Sequence, residues 1–161
     1  MVVIVMGVAG SGKTTIASEL ALELGWEFLD ADSFHSPANV EKMRTGIPLD
    51  DSDRAPWLHS LRREIESSFS EKSNLTLACS ALKRIYREQL SSGLDVKIVY
   101  LKGTLEVLRE RLAQRTGHFM TQQLLISQLE SLEEPSDAIT VNIDRPVPEI
   151  VAEIRRQLAL G

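Results

Sequence analysis

Residues 7 to 14 read Gly-Val-Ala-Gly-Ser-Gly-Lys-Thr, a full match to the phosphate-binding pattern G-x-x-x-x-G-K-[ST]. The run comes after five apolar residues, Val2 to Met6, and opens a segment where Ile16, Leu20 and Leu24 recur at helical spacing. That order of strand, glycine-rich loop and helix restricts the possible folds more than any other feature of the chain. Gly7, Gly10 and Gly12 let the backbone curl without Cβ clashes. The N–H groups of the stretch, with Val8, Ala9, Ser11 and Thr15 among them, then turn inward toward one anion. The helix start adds its positive dipole end. Lys13 has the reach to meet β- and γ-phosphates, and the Thr14 hydroxyl suits a place on Mg²⁺. A plain connecting turn would not require Lys-Thr at the helix start, so the expectation is a site for a nucleoside triphosphate.

Composition narrows the rest. A chain of 161 residues with 43% hydrophobic and 25% charged residues fits one globular domain with one proper core. A net charge of −5 argues against a broad nucleic-acid footprint. A single cysteine, Cys79, cannot build an internal disulfide framework and fits a reducing cytosol. The apolar start is too short for a membrane span and lacks a basic flank, so it reads as a core strand, and no membrane partner is expected.

Apolar runs at 2–6, 27–29, 74–79, 96–101 and 138–143 read as five strands. Between them, leucine-rich patterns with helical spacing cover 58–69, 105–112, 125–132 and 150–158. Strict alternation of the two types implies an α/β fold with a parallel sheet covered by helices on both faces. Polar stretches at 33–56 and 115–121 read as mobile covers over the site.

Ligands of such sheets bind beyond the carboxyl ends of the strands. After the second strand come Asp30 and Asp32, two apart and so expected to face the same way in an extended segment. A carboxylate beside the γ-phosphate either accepts the proton of an attacking hydroxyl or holds Mg²⁺ through water. Asp32 is the chosen base and, with Thr14, the chosen metal group. His35 is a candidate for a substrate hydroxyl. After the third strand stand Ser80 and Lys83, with Arg84, Tyr86 and Arg87 on the next helix. Cations there suggest an anionic acceptor, and Lys83 and Arg87, four apart, would share one helix face. Arg111 and Arg115 have the same spacing at the end of a later helix. One suits stacking on adenine, the other the charge of the transferring phosphate. The Asp144-Arg145-Pro146 turn is a candidate wall of the adenine pocket. Trp26, Trp57 and the leucine stripes read as packing.

Several longer segments resemble the gluconate kinases. They are the phosphate loop through Thr15, Phe28 to His35, Asn39 to Leu49, Asp53 to Leu58, Cys79 to Lys83 with Tyr86 and Arg87, Tyr100 to Gly103, and Gly117 to Phe119. The resemblance runs from residue 3 to about 158. Ser36 departs from the proline frequent there, and the 133–137 connection is short. The resemblance implies ATP:D-gluconate 6-phosphotransferase activity with Mg²⁺, a shikimate-kinase-like P-loop fold with a lid at about 115–135, and often a homodimer. It also implies acceptor contacts near Asp32, Arg54, Lys83 and Arg87. On the residues themselves, Arg54, Lys83 and Arg87 suit a carboxylate, and His35 and Ser80 suit hydroxyls. Lys13 and Arg115, with Asp32, would carry catalysis. The alternative on the same fold is another small-molecule or nucleoside monophosphate kinase, which needs a slot for a second base. A GTPase switch would carry N-K-x-D, and no such run occurs.

Overall fold

In the computed structural model, which describes residues 1–114 and 122–160, five strands form one all-parallel sheet. They are β1 (Val2–Met6), β2 (Glu27–Asp30), β3 (Leu75–Ala78), β4 (Val96–Lys102) and β5 (Ile139–Asn142), in spatial order β2-β3-β1-β4-β5. The most apolar run takes the centre because only there are both faces and both edges of a strand covered. Every residue of β1 is buried.

Alternating side chains divide the core in two. Val3, Val5, Val99 and Val141 face one layer, where α1 (Lys13–Leu24) contributes Ile16 and Leu20 and α7 (Val147–Gln157) contributes Ile150 and Ile154. Ile4, Met6, Leu75 and Leu77 face the other, under α3 (Asp51–Ser70) and α4 (Arg84–Ser91), which bring Leu61, Ile65 and Leu90. The Thr76 hydroxyl, fully buried in β3, donates to the Ala17 carbonyl at 2.9 Å and ties α1 to the sheet. Helices α5 (Leu105–Ala113) and α6 (Gln122–Ser131) complete the first layer through Leu108 and Leu125. Among the described residues no helix is long and apolar enough to cross a membrane.

Most of the 33–56 stretch, read from sequence as a polar cover, is helical. Ser36 caps α2 (Pro37–Arg44), its hydroxyl accepting from the Asn39 N–H at 3.1 Å with Pro37 in the first turn. Helix α3 begins at Asp51, well before its apolar periodicity does. Asp50 and Asp53 form a reciprocal capping box that starts it: Asp53 N–H donates to Asp50 at 2.8 Å, and Asp50 N–H to Asp53 at 3.0 Å. Caps rather than a hydrophobic stripe organise this segment, which is why a search for apolar periodicity passes over it.

Arg87 is a second departure. It is 6% exposed, and its guanidinium donates to the carbonyls of Ala81 (2.7 Å), Leu82 (3.1 Å) and Glu133 (2.8 Å). It therefore buckles the turn leaving β3 to the 133–137 connection, with both terminal nitrogens bonded to backbone carbonyls. The shared face with Lys83 does not form either. Lys83 is the N-cap of α4 in extended conformation, so helical spacing does not extend to it. Replacing Arg87 by Ala would leave three carbonyls short of their charged donor. Arg87→Ala is expected to lower unfolding free energy by about 3 kcal/mol in urea denaturation. Arg87→Lys should recover little of it, since one ammonium cannot reproduce the fork. Arg84→Ala, at an exposed neighbouring position, should leave the midpoint unchanged.

Candidate active site

The loop from Gly7 to Gly12 leaves the carboxyl end of β1 and turns into α1. Gly10 has φ +84°, and a Cβ there would stand 2.8 Å from the Leu108 carbonyl oxygen. Gly12 has φ +86° at the N-cap. Both positions require glycine on backbone grounds. No side chain caps α1, and its first turn holds no acidic residue, so its leading N–H groups face outward with the dipole's positive end. Ser11 Oγ is buried without a hydrogen-bond partner among the described residues. An uncapped helix start, left-handed glycines and an orphan buried hydroxyl fit the phosphates of a nucleotide.

Two depressions flank the loop. One, of about 270 Å³, is lined by Gly10, Gly12, Thr15, Arg111, Gln114 and Val147. Arg111 thus stands beside the loop as expected, with its guanidinium donating to the Ile143 carbonyl. Arg145 is turned elsewhere: it pairs with Glu153 at 2.8 Å and donates to the Asn142 carbonyl, and Val147 takes the wall position assigned to it. Arg115 lies outside the described residues.

The second cavity holds residues that the sequence offers for the acceptor. Lys13, Asp32, His35, Arg54 and Ser80 meet in its lining, brought together from separate segments of the chain. Asp30 and Asp32 do not face the same way, because the backbone leaves extended conformation between them. Asp30 ends β2 and caps a 3-10 turn, Ala31–Phe34, by accepting the Asp32 N–H at 3.0 Å. Its other oxygen accepts from the Thr14 hydroxyl at 3.2 Å. Asp30 therefore belongs to the phosphate side, and Asp32 to the cavity. Hydroxyl and carboxylate oxygens are the hard donors that Mg²⁺ accepts alongside phosphates and water, so the Thr14–Asp30 pair fits that ion.

Trp57, read from sequence as packing, also lines this cavity. Its ring stacks on His35 at 4.3 Å and 13°, and its Nε1–H donates to the Ala31 carbonyl at 2.7 Å. The indole thus holds both the His35 ring and the turn that carries Asp32. Asn39 fixes the imidazole from its other end. Its amide nitrogen donates to the Asp53 carbonyl (2.8 Å) and lies 3.3 Å from His35 Nδ1. With that nitrogen as donor, Nδ1 accepts and the ring proton sits on Nε2. Burial lowers the pKa of His35 against the opposing pull of Asp32, and Arg54 lowers it further. The imidazole is neutral.

Tyr86 is the other residue whose role the sequence left open. Arg54 Nη1 donates to its hydroxyl at 3.2 Å and to the Leu49 carbonyl at 2.8 Å, and the hydroxyl donates to Asp51. Arg54 Cζ and Lys83 Nζ lie 5.4 and 5.7 Å from the ring centre, so the aromatic ring gathers both cations. Lys83 stands 3.6 Å from Asp51 and is not in the lining itself. Bonding from Tyr86 and the charge of Lys83 lower the Asp51 pKa. Cys79, fully buried nearby, has its thiol pushed up to about 12 by desolvation and is inert.

A phosphate loop on a five-stranded parallel sheet, facing a polar acceptor cavity with a neutral histidine and a carboxylate, defines a small-molecule kinase of the P-loop class. A family model described as an AAA domain matches residues 2–135. The gluconokinase of Gluconobacter oxydans (strain 621H) is 47% identical over 93% of this chain and 82% of its own length. A sugar kinase from Janibacter sp. HTCC2649, solved without ligand, superposes with a TM-score of 0.92 at 43% identity, covering 99% of this chain and 95% of that one. A gluconokinase from Sinorhizobium meliloti 1021 gives 0.87 at 40%, covering 98% and 90%. The chain belongs to the gluconokinase family, whose members are ATP-dependent kinases.

Neutral His35 makes stability depend on pH. Folding lowers its pKa from the ordinary 6.5, so the unfolded chain binds the proton more readily. Stability therefore falls as pH drops below 6.5 and is insensitive to this group above it. Chemical denaturation of the parent and of His35→Gln is expected to show a gap that is constant above pH 6.5 and narrows below it. A gap that widens on acidification would mean that the folded state holds a charged imidazole.

Proposed function

We propose that this chain transfers the γ-phosphoryl group of ATP to the 6-hydroxyl of D-gluconate, giving 6-phospho-D-gluconate and ADP. The observation that supports the proposal is one cavity whose lining brings Lys13 of the phosphate loop together with Asp32, His35, Ser80 and Arg54. Gluconate is a polyol ending in a carboxylate, and this lining offers hydrogen-bonding groups for one part and a cation for the other. The family names of the relatives agree with that chemistry.

Each residue then has a task. The loop amides other than those of Ala9 and Ser11, which donate to Gln128 and to the Val8 carbonyl, hold the β- and γ-phosphates with Lys13, and the Thr14 hydroxyl with Asp30 would hold Mg²⁺, which neutralises phosphate charge when bound. Asp32 accepts the proton of the acceptor hydroxyl as its oxygen forms the bond to phosphorus and ADP departs with the electrons of the broken P–O bond. Neutral His35, with its proton on Nε2, donates to a substrate oxygen. Arg54, aimed by Tyr86 and seconded by Lys83, takes the carboxylate. Because phosphoryl transfer needs mainly positioning and charge stabilisation, this set is sufficient for the chemistry.

A coupled ADP-release assay over gluconate, shikimate and nucleoside monophosphates is expected to show acceleration far greater with gluconate. Equal rates with every acceptor, or with none, would refute the assignment. In the same assay Asp32→Asn should lose on the order of 10²–10⁴ in kcat, the range of a general base. Asp30→Asn should instead raise the Mg²⁺ concentration needed for half-maximal rate. Arg54→Ala should mainly raise KM for gluconate, as expected for a cation that binds ground and transition states alike. A fall in kcat at unchanged KM would remove Arg54 from the carboxylate end.

A further inference from the structure

The phosphate loop gives one of its amides to the protein itself. The Ala9 N–H, in a residue only 2% exposed, donates to Gln128 Oε1 at 2.7 Å, across 119 positions of sequence. Gln128 lies in α6, and with Leu124, Ser127 and Ser131 it lines the acceptor cavity. Their spacing places all of them on one stripe of the helix. The same side chain therefore touches the phosphate loop and helps wall the acceptor cavity. The carboxyl end of the helix is fastened separately: the Glu133 N–H donates to the Leu82 carbonyl at 2.8 Å, and the Glu133 carbonyl accepts from Arg87.

We propose that Gln128 is a positioning residue that couples the two substrates. Its carbonyl, seated on the Ala9 N–H, sets the α6 wall in register with the loop that holds the phosphoryl donor. Loop and wall then adopt the bound arrangement together, so that nucleotide and acceptor each strengthen the binding of the other, as two ligands of one coupled unit must. The chemical basis is the cost of leaving a buried amide unpaired. Gln128 Oε1 satisfies Ala9 in this arrangement, and moving α6 away from the loop breaks that bond. This role for Gln128 rests on the gluconate-kinase reading above.

Full-length parent, Gln128→Met and Gln128→Glu provide the test. Gluconate affinity is measured by calorimetry with and without a non-hydrolysable ATP analogue, alongside steady-state kinetics. The parent is expected to bind gluconate more tightly when the analogue is present. Gln128→Met keeps the side-chain length and removes the acceptor. It should raise KM for gluconate about tenfold, the scale of one lost hydrogen bond, raise KM for ATP at saturating gluconate by a similar factor because coupling is reciprocal, and abolish the enhancement by the analogue. Gln128→Glu keeps an oxygen for Ala9 and adds charge beside the phosphates, so it should retain gluconate affinity without nucleotide and weaken the analogue. Absence of enhancement in the parent, its survival in Gln128→Met, or lost gluconate affinity in Gln128→Glu would each overturn the proposal. If Gln128→Met does not fold, Gln128→Glu decides alone. A parent that does not phosphorylate gluconate would sink the underlying reading instead. An active parent with unaltered variants would sink only the coupling role.

Discussion

The structure depends on the burial of β1. Its consecutive apolar residues, covered on both faces by helices and on both edges by β3 and β4, leave this strand no alternative position or register. The phosphate loop is therefore delivered to a fixed place at the carboxyl edge of the sheet. That loop can be rich in glycine, intrinsically floppy and still sharply placed, because a rigid strand enters it and a packed helix leaves it. Gly10, pressed against the Leu108 carbonyl, shows that the loop is also held from outside.

Around that fixed loop the acceptor cavity is assembled from polar capping interactions rather than from apolar packing. Asp30 caps the turn that carries Asp32, Asp50 and Asp53 start α3, and Asn39 joins His35 to the Asp53 carbonyl. Trp57 is the apolar element among them, and it still commits its N–H to the Ala31 carbonyl. Such a network is directional. It holds side chains at defined angles, which positioning catalysis requires, whereas a methyl-lined wall would hold them only by shape. Its buried groups are also costly to leave unpaired, so the network as a whole favours one arrangement.

Charge near the cavity is divided between binding and architecture. Arg54, Lys83, Tyr86 and Asp51 form one cluster in which a phenol organises two cations and a carboxylate. Arg87 stands apart from that cluster and applies its guanidinium to backbone carbonyls instead. Lys83 and Arg87, cations one helical turn apart in sequence, thus meet the Asp51 carboxylate in one case and backbone carbonyls in the other. Burial and the direction of the side chain separate them.

Sequence alone determined the sheet, its parallel sense, the phosphate loop and the helix after it, because these depend on local periodicity and on backbone conformations only glycine adopts readily. It also singled out Lys13, Asp32, His35, Arg54 and Ser80, which stand just beyond strand ends or in segments resembling a known family and which the structure brings into one cavity lining. Tertiary structure decided which aspartate serves which side, since one 3-10 turn parts Asp30 from Asp32 and no strand pattern announces it. It decided that Arg87 clamps a turn, that Arg145 pairs with Glu153, that Trp57 and Gln128 line the cavity, and that Tyr86 bonds Arg54 of that lining. Those assignments rest on contacts between residues distant in sequence, or on the direction of one side chain. Neither leaves a periodic trace, because a long-range hydrogen bond constrains two positions and nothing in between.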